Sequence, residues 1–210
     1  MRKLLPCLAA LALLGACATT SSPPENAAAA AAELSDYERA IDTATTLEQA
    51  GNEQAAINRL SQLLAEPDLT AEEMAATLYA RATLRYEEGN DIEGAIEDTQ
   101  EILAKYPASD VSGEAASLLE KAEQSQAQLV RRLSGEVRPE ERFEILFKLG
   151  RHLEAGDIMT ANALQPDNAY LLDMYQIGHL CDGSNPGGRS YALVEPDGTE
   201  RTVQFCNRMN

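Results

Sequence analysis

Two stretches of this chain begin and end alike. GNEQAAINRLSQLLAEPD (51–68) and GNDIEGAIEDTQEILAKYPASD (89–110) each open on Gly-Asn, carry Ala-Ile soon afterwards (Ala56-Ile57 and Ala95-Ile96), and run to a proline, Pro67 or Pro107. Within them Ala56, Ile57, Leu60, Leu63 and Leu64, then Ala95, Ile96, Thr99, Ile102 and Leu103, recur at the i, i+3, i+4, i+7 spacing that lines one face of a helix. Residues so spaced cannot line one face of a strand, whose side-chain period is two. Before the second Gly-Asn, Ala75, Leu78, Tyr79, Ala82 and Tyr86 mark the apolar face of a partner helix. The unit is therefore helix–turn–helix with a proline stop. Ahead of the first Gly-Asn, Asn26 is a candidate N-cap for AAAAAAELSDYERAIDTATTLEQAG, and Gly51 stands where that helix ends.

These residues resemble the tetratricopeptide repeat (TPR). That family has a small residue where its helices cross, an alanine early in the second helix, and a proline near the end of a 34-residue unit. Ala44, Ala56 and Pro67 match in the first copy, and Ala82 or Thr83, Ala95 and Pro107 in the second. The chain departs from the pattern in its 38-residue step from Gly51 to Gly89 and in one extra residue at the second turn. The resemblance implies a TPR-like stack of antiparallel helix pairs, an α-solenoid, over residues 27–133.

Arrays of this kind need about three units, or caps, to cover their core. Ala115, Leu118, Leu119, Ala122, Leu129 and Leu133 keep helical spacing, and SGEVRP then breaks the chain. Pro139, followed by Glu140 and Glu141, starts PEERFEILFKLGRHLEAG, with a stripe of Phe143, Leu146, Phe147, Gly150 and Leu153. Gly156 to Pro166 is too short for a full second helix, so 139–180 reads as a helical cap or degenerate repeat, closed by a helix over DNAYLLDMYQIGHL. Tryptophan is absent, which leaves alanine and leucine to do much of the packing.

The chain opens MRKLLPCLAALALLGAC. Arg2 and Lys3 precede an apolar run from Leu4 to Leu14, which is long enough for a signal segment and shorter than the roughly 20 residues of a membrane span. Leu14-Gly15-Ala16-Cys17 resembles the lipobox of bacterial lipoproteins. The resemblance implies removal of residues 1–16, a diacylglycerol on the Cys17 sulfur and a fatty acyl group such as palmitate on its new amino terminus. With Ala18 after the cysteine, it points to the periplasmic face of the outer membrane. The Ser-, Thr- and Pro-rich stretch 17–26 then reads as a tether. Cleavage takes away two cations and no acid, so the formal charge of −17 becomes two units more negative. Such acidity disfavours nucleic acid and permits a basic partner.

At the other end SYALVEPDGTERTVQFC alternates, with Pro196-Asp197-Gly198 as the turn of an expected β-hairpin. Once Cys7 leaves with the signal and Cys17 carries lipid, Cys181 and Cys206 remain in an oxidising compartment. A disulfide between them would staple the hairpin (181–210) to the helices, worth about 3–4 kcal/mol in the chain-entropy account.

No motif carries catalysis or a cofactor. His179 lies two residues before Cys181 and would not share its face on a helix, and His152 lies in no zinc-ligand pattern. GSNPGGR precedes a strand, with no helix N-terminus behind its amides to hold phosphate. EPDLTAEE lacks the ordered spacing of a calcium loop, and the carboxylates read as solvated helix faces. Three function classes remain: an accessory cell-wall enzyme, a structural envelope tether and a protein-binding adaptor. The adaptor leads, because stacked helix pairs offer a surface on which a peptide can lie. In TPR proteins the first helix of each pair lines that surface, which the resemblance carries over to Glu38, Thr45, Glu48, Thr83 and Glu87.

Overall fold

The computed structural model describes residues 34–162, Leu164, Arg189–Val194 and Glu200–Phe205. Among them the chain is mainly helical: α1 (Asp36–Gln49), α2 (Glu53–Leu64), α3 (Ala71–Glu87), α4 (Ile92–Lys105), α5 (Ser112–Leu133), α6 (Pro139–Lys148) and α7 (His152–Asn162). Each helix from α1 to α5 packs on the next in sequence, and α6 packs on α7. Strands β1 (Arg189–Val194) and β2 (Glu200–Phe205) pair antiparallel, from Arg189 opposite Phe205 to Val194 opposite Glu200, and both lie against α7. The signal segment, Cys17 with its tether, the helix expected after Asp167, the Pro196-Asp197-Gly198 turn, Cys181 and Cys206 lie outside the described residues.

Local chemistry sets the helix starts. The Ser35 Oγ accepts from the Glu38 amide (3.1 Å), while the Glu38 carboxylate accepts from the Ser35 amide (2.7 Å). Thr70 and Glu73 repeat this reciprocal cap at the head of α3, at 3.2 and 2.9 Å. The first helix does not run unbroken from Ala27 as expected. Leu34 and Ser35 stand outside it and α1 starts at Asp36, because Ser35 supplies a capping oxygen that alanine lacks. At α6 the start falls on Pro139, as expected, with Glu140 and Glu141 in the first turn.

The turns correct the reading of the third unit. Expected as one helix to Gly156, it breaks at Gly150 (φ 86°), where the Arg151 amide donates to Leu146 O (2.9 Å) and the Gly150 amide to Phe147 O (3.0 Å). This double closure, with a left-handed glycine, ends the helix. The α1–α2 turn is built the same way: Gly51 has φ 73°, and Asn52 donates to Leu47 O and Gly51 to Glu48 O, both at 2.9 Å. A second helix therefore begins four residues earlier than the sequence reading allowed, and α7 has 11 residues against 12 in α2. Gly156 lies buried inside α7.

The α3–α4 turn, one residue longer, uses two residues for these jobs. Asn90 takes the left-handed conformation (φ 46°), a role asparagine tolerates. Gly89 supplies space, since a Cβ there would fall 2.6 Å from Ile57 Cδ1. The early alanine of each second helix, Ala56, Ala95 or Ala155, is 0% exposed. Of the two candidates for the crossing position in α3, Ala82 is buried and Thr83 half-buried.

Apolar side chains gather in four clusters. Ala44, Ala56, Ile57, Leu60 and Leu84 join α1 to α3. Ala75, Leu78, Ile102 and Ala115 join α3 to α5, and Ile92, Ile96 and Ala122 continue that seam. Phe143, Leu146, Phe147, Ala155 and Met159 make a core within α6–α7, which Leu133 at the end of α5 also reaches.

Candidate functional site

The five nominated residues do not form one group. Glu38 serves the N-terminal cap of α1, and the hydrogen bonds it accepts from the Ser35 backbone and hydroxyl hold its carboxyl below the usual range. Glu48 lies ten residues further along the same helix, about 15 Å away at 1.5 Å per residue. Thr45 is exposed one turn before Glu48. Thr83 turns its hydroxyl to its own helix, donating to Tyr79 O at 3.0 Å. Glu87 is exposed one turn beyond it.

Glu48 and Glu87 both act on the carboxyl of Glu88, in company that the sequence reading missed. Loss of solvation pushes the Glu88 carboxyl up, as do a hydrogen bond with the Glu53 side chain and the charges of Glu53, Glu48 and Glu87. Glu48, Glu53, Glu87 and Glu88 thus share one edge, where α1 ends, α2 begins and α3 ends. The text carries the signal: EQAGNE and EEGND each flank the Gly-Asn turn with acids.

Three of the four are unusually placed relative to the helix dipoles, whereas Glu53 lies in the first turn of α2. Asp36, Glu38, Glu72 and Glu73 occupy first turns, where the partial positive charge of the helix end favours acids. Glu48, Glu87 and Glu88 sit at helix C-termini, where the exposed carbonyls carry partial negative charge and favour cations. The last turn of α1 has no basic residue, and the one basic residue in the last turn of α3, Arg85, is buried. Among the described residues no salt bridge reaches any of these four glutamates.

Other charges lie inside, which corrects the reading of the carboxylates as solvated faces. Asp91 and Asp98 are 4% and 3% exposed, and Arg81 and Arg85 are 6% and 2%. Arg81 grips Asp98 with two bonds (Nε to Oδ2, 3.0 Å; Nη2 to Oδ1, 2.7 Å) and donates to Ser61 Oγ at 2.9 Å. Arg85 Nη1 donates to Asp98 Oδ2 (2.9 Å) and Gly94 O (3.3 Å), and its Nε lies 3.3 Å from Asp91 Oδ2. Asp91 Oδ1 accepts from the Gly94 amide at 2.9 Å and so caps α4. The acids are buried because two arginines four apart on α3 face the same side and meet them. These contacts fasten α2, α3 and α4 together; they are a joint, with the carboxylates held by fixed donors.

Among the described residues, no group of three or more His, Cys, Asp or Glu is placed to hold a metal ion, and no helix is long and apolar enough to cross a membrane. His152 Nε2 lies 3.1 Å from Asn90 O, and its ring packs on Phe147 with centroids 4.7 Å apart. No family model matches the chain, and no curated protein and no solved structure matches it.

Proposed function

We propose that this chain is a lipid-anchored adaptor of the bacterial envelope, facing the periplasm and holding a basic segment of a protein partner against the edge formed by Glu48, Glu53, Glu87 and Glu88. One observation carries the reading: acids stand where two helices end, the place at which the backbone dipole favours cations. The arrangement disfavours the free chain and favours a complex that brings lysine or arginine to it. The matching turns of α1–α2 and α6–α7, and the alanine shared by three helix pairs, support a TPR-like array, with the disulfide-tied β-hairpin as its C-terminal attachment. Anchorage rests on the lipobox at Cys17. Cys17→Ser should leave the full chain unacylated, as read by mass; an unchanged acylated mass would remove that part of the proposal.

The binding reading is tested by in-cell crosslinking and co-purification, comparing the full chain with a Glu48→Lys, Glu87→Lys variant. Glu38 is spared because its carboxylate caps α1. The variant should lose its basic partner while remaining folded and anchored. Identical partner sets would count against this edge, and turnover of cell-wall material by the purified chain alone would move the protein to the enzyme class.

A further inference from the structure

We propose that α6 and α7, with the strands that lie against α7, form a lobe that opens as a unit from α1–α5, with the Arg151–Glu93 ion pair as its latch and residues 134–138 as its hinge. The inference stands apart from the binding reading. Its first ground is the distribution of apolar contacts. The core of Phe143, Leu146, Phe147, Ala155 and Met159 is internal to α6–α7, and among the described residues only Leu133, the last of α5, joins it from the longer array. That core stays covered when the lobe swings, with Leu133 and the Arg132–Glu141 ion pair near the pivot, while Ile145 and Leu149 of α6 are buried outside it. Ser134, Gly135, Glu136 and Arg138 are exposed and non-helical.

The second ground is the joint on the far side from the hinge, where the α6–α7 turn meets the α3–α4 turn. There Arg151 places its Nε 2.9 Å and its Nη2 2.8 Å from Glu93 Oε1. The Glu93 amide, at the start of α4, donates to Leu149 O at 3.2 Å. An amide left over at one helix start thus meets a carbonyl left over at another helix end. Gly150 lies so close that an added Cβ would be 2.0 Å from Asp91 Oδ1. A latch of hydrogen bonds and charge, unlike an apolar seam, exchanges readily with water when it parts. Opening would uncover the α3–α4 turn and the head of α4.

Amide hydrogen exchange on the full chain tests this, with Arg151→Ala as the probe. Loss of a charge-assisted pair of bonds should speed exchange of the protected amides in 139–162, and of the Glu93 amide, by about tenfold. The α1–α3 amides should keep their rates. Equal acceleration in all helices, or none in α6–α7, would overturn the proposal. Should the variant fail to fold, the wild type decides, because the screening length falls to about 3 Å in 1 M salt. Exchange in α6–α7 should then rise relative to α1–α3, and a constant ratio would overturn it.

Discussion

The joint between α3 and α4 and the edge where α1 and α3 end are built from the same residue types and use them in opposite ways. In the joint, Asp91 and Asp98 are buried and Arg81 and Arg85 reach them at 2.7–3.3 Å. At the edge, loss of solvation and then the neighbouring Glu53, Glu48 and Glu87 push the Glu88 carboxyl up. The difference does not lie in the acids. It lies in whether a neighbouring helix presents arginines four residues apart toward them. Where it does, charge becomes part of the packing, and where it does not, charge is left for solvent or for another molecule.

The joint should therefore be the most fragile part of the chain. Asp98→Ala removes the acceptor of three arginine bonds and leaves two buried cations without it. The loss should be about 3–5 kcal/mol in urea unfolding, because a buried charge deprived of its partner keeps its desolvation cost. A loss no larger than that of an exposed acid, such as Glu87→Ala, would mean that the two regions do not differ as described.

The glycine turns sharpen the comparison at smaller scale. Gly51 and Gly150 share left-handed backbone and hydrogen-bond pattern, yet a Cβ at Gly51 meets nothing within 4 Å while one at Gly150 strikes Asp91. Gly51→Ala should cost only the backbone term, about 1 kcal/mol. Gly150→Ala should cost that and at least about another 1 kcal/mol, since it forces the capping carboxylate of α4 to move. Equal losses in thermal unfolding would place Asp91 away from the α6–α7 turn.

How much of this was legible in the sequence differs by element. The faces of α2 and α4 follow from helical periodicity, and Pro139 marks the start of α6. The starts of α1 and α3 were also written in the text, as Ser35-x-x-Glu38 and Thr70-x-x-Glu73, but alanine propensity drew the first helix back to Ala27. Periodicity cannot choose between two glycines as a helix end. Gly150 ends α6 because its turn closes both hydrogen bonds and lies against Asp91, whereas Gly156 lies inside a helix. Arg81 and Arg85 give no such signal, because a helix-face reading weighs apolar residues, and a buried arginine is announced only by the acid it meets from another helix. For the edge, the acids flanking each Gly-Asn turn were visible. Their meeting depends on how α1–α2 lies beside α3, which no local pattern states.

The smallest expected effect separates the edge acids from the capping acids by the sign of their response to pH. Hydrogen bonds hold Glu38 and Glu73 below their ordinary value, so their contribution to stability is present above that value and fades as pH falls through the depressed one. Glu88 is raised, so its ionised form is disfavoured in the folded chain, and this penalty is relieved as pH falls from neutral through its folded value. Mild acidification should therefore ease the edge before it loosens the caps. Glu88→Gln removes the penalty outright while keeping a side chain that can bond to Glu53. Its Tm at neutral pH should rise by about 1–2 °C, modest because the group is exposed and screened. The gain should shrink as both proteins are acidified, since the wild-type carboxyl becomes protonated and the two chains converge. Paired thermal melts at about pH 7.5 and 5.5 measure this directly, with the wild type correcting for every other titrating acid. A variant that melts lower at neutral pH, or a gain that stays constant with pH, would show that Glu88 does not feel its three neighbours.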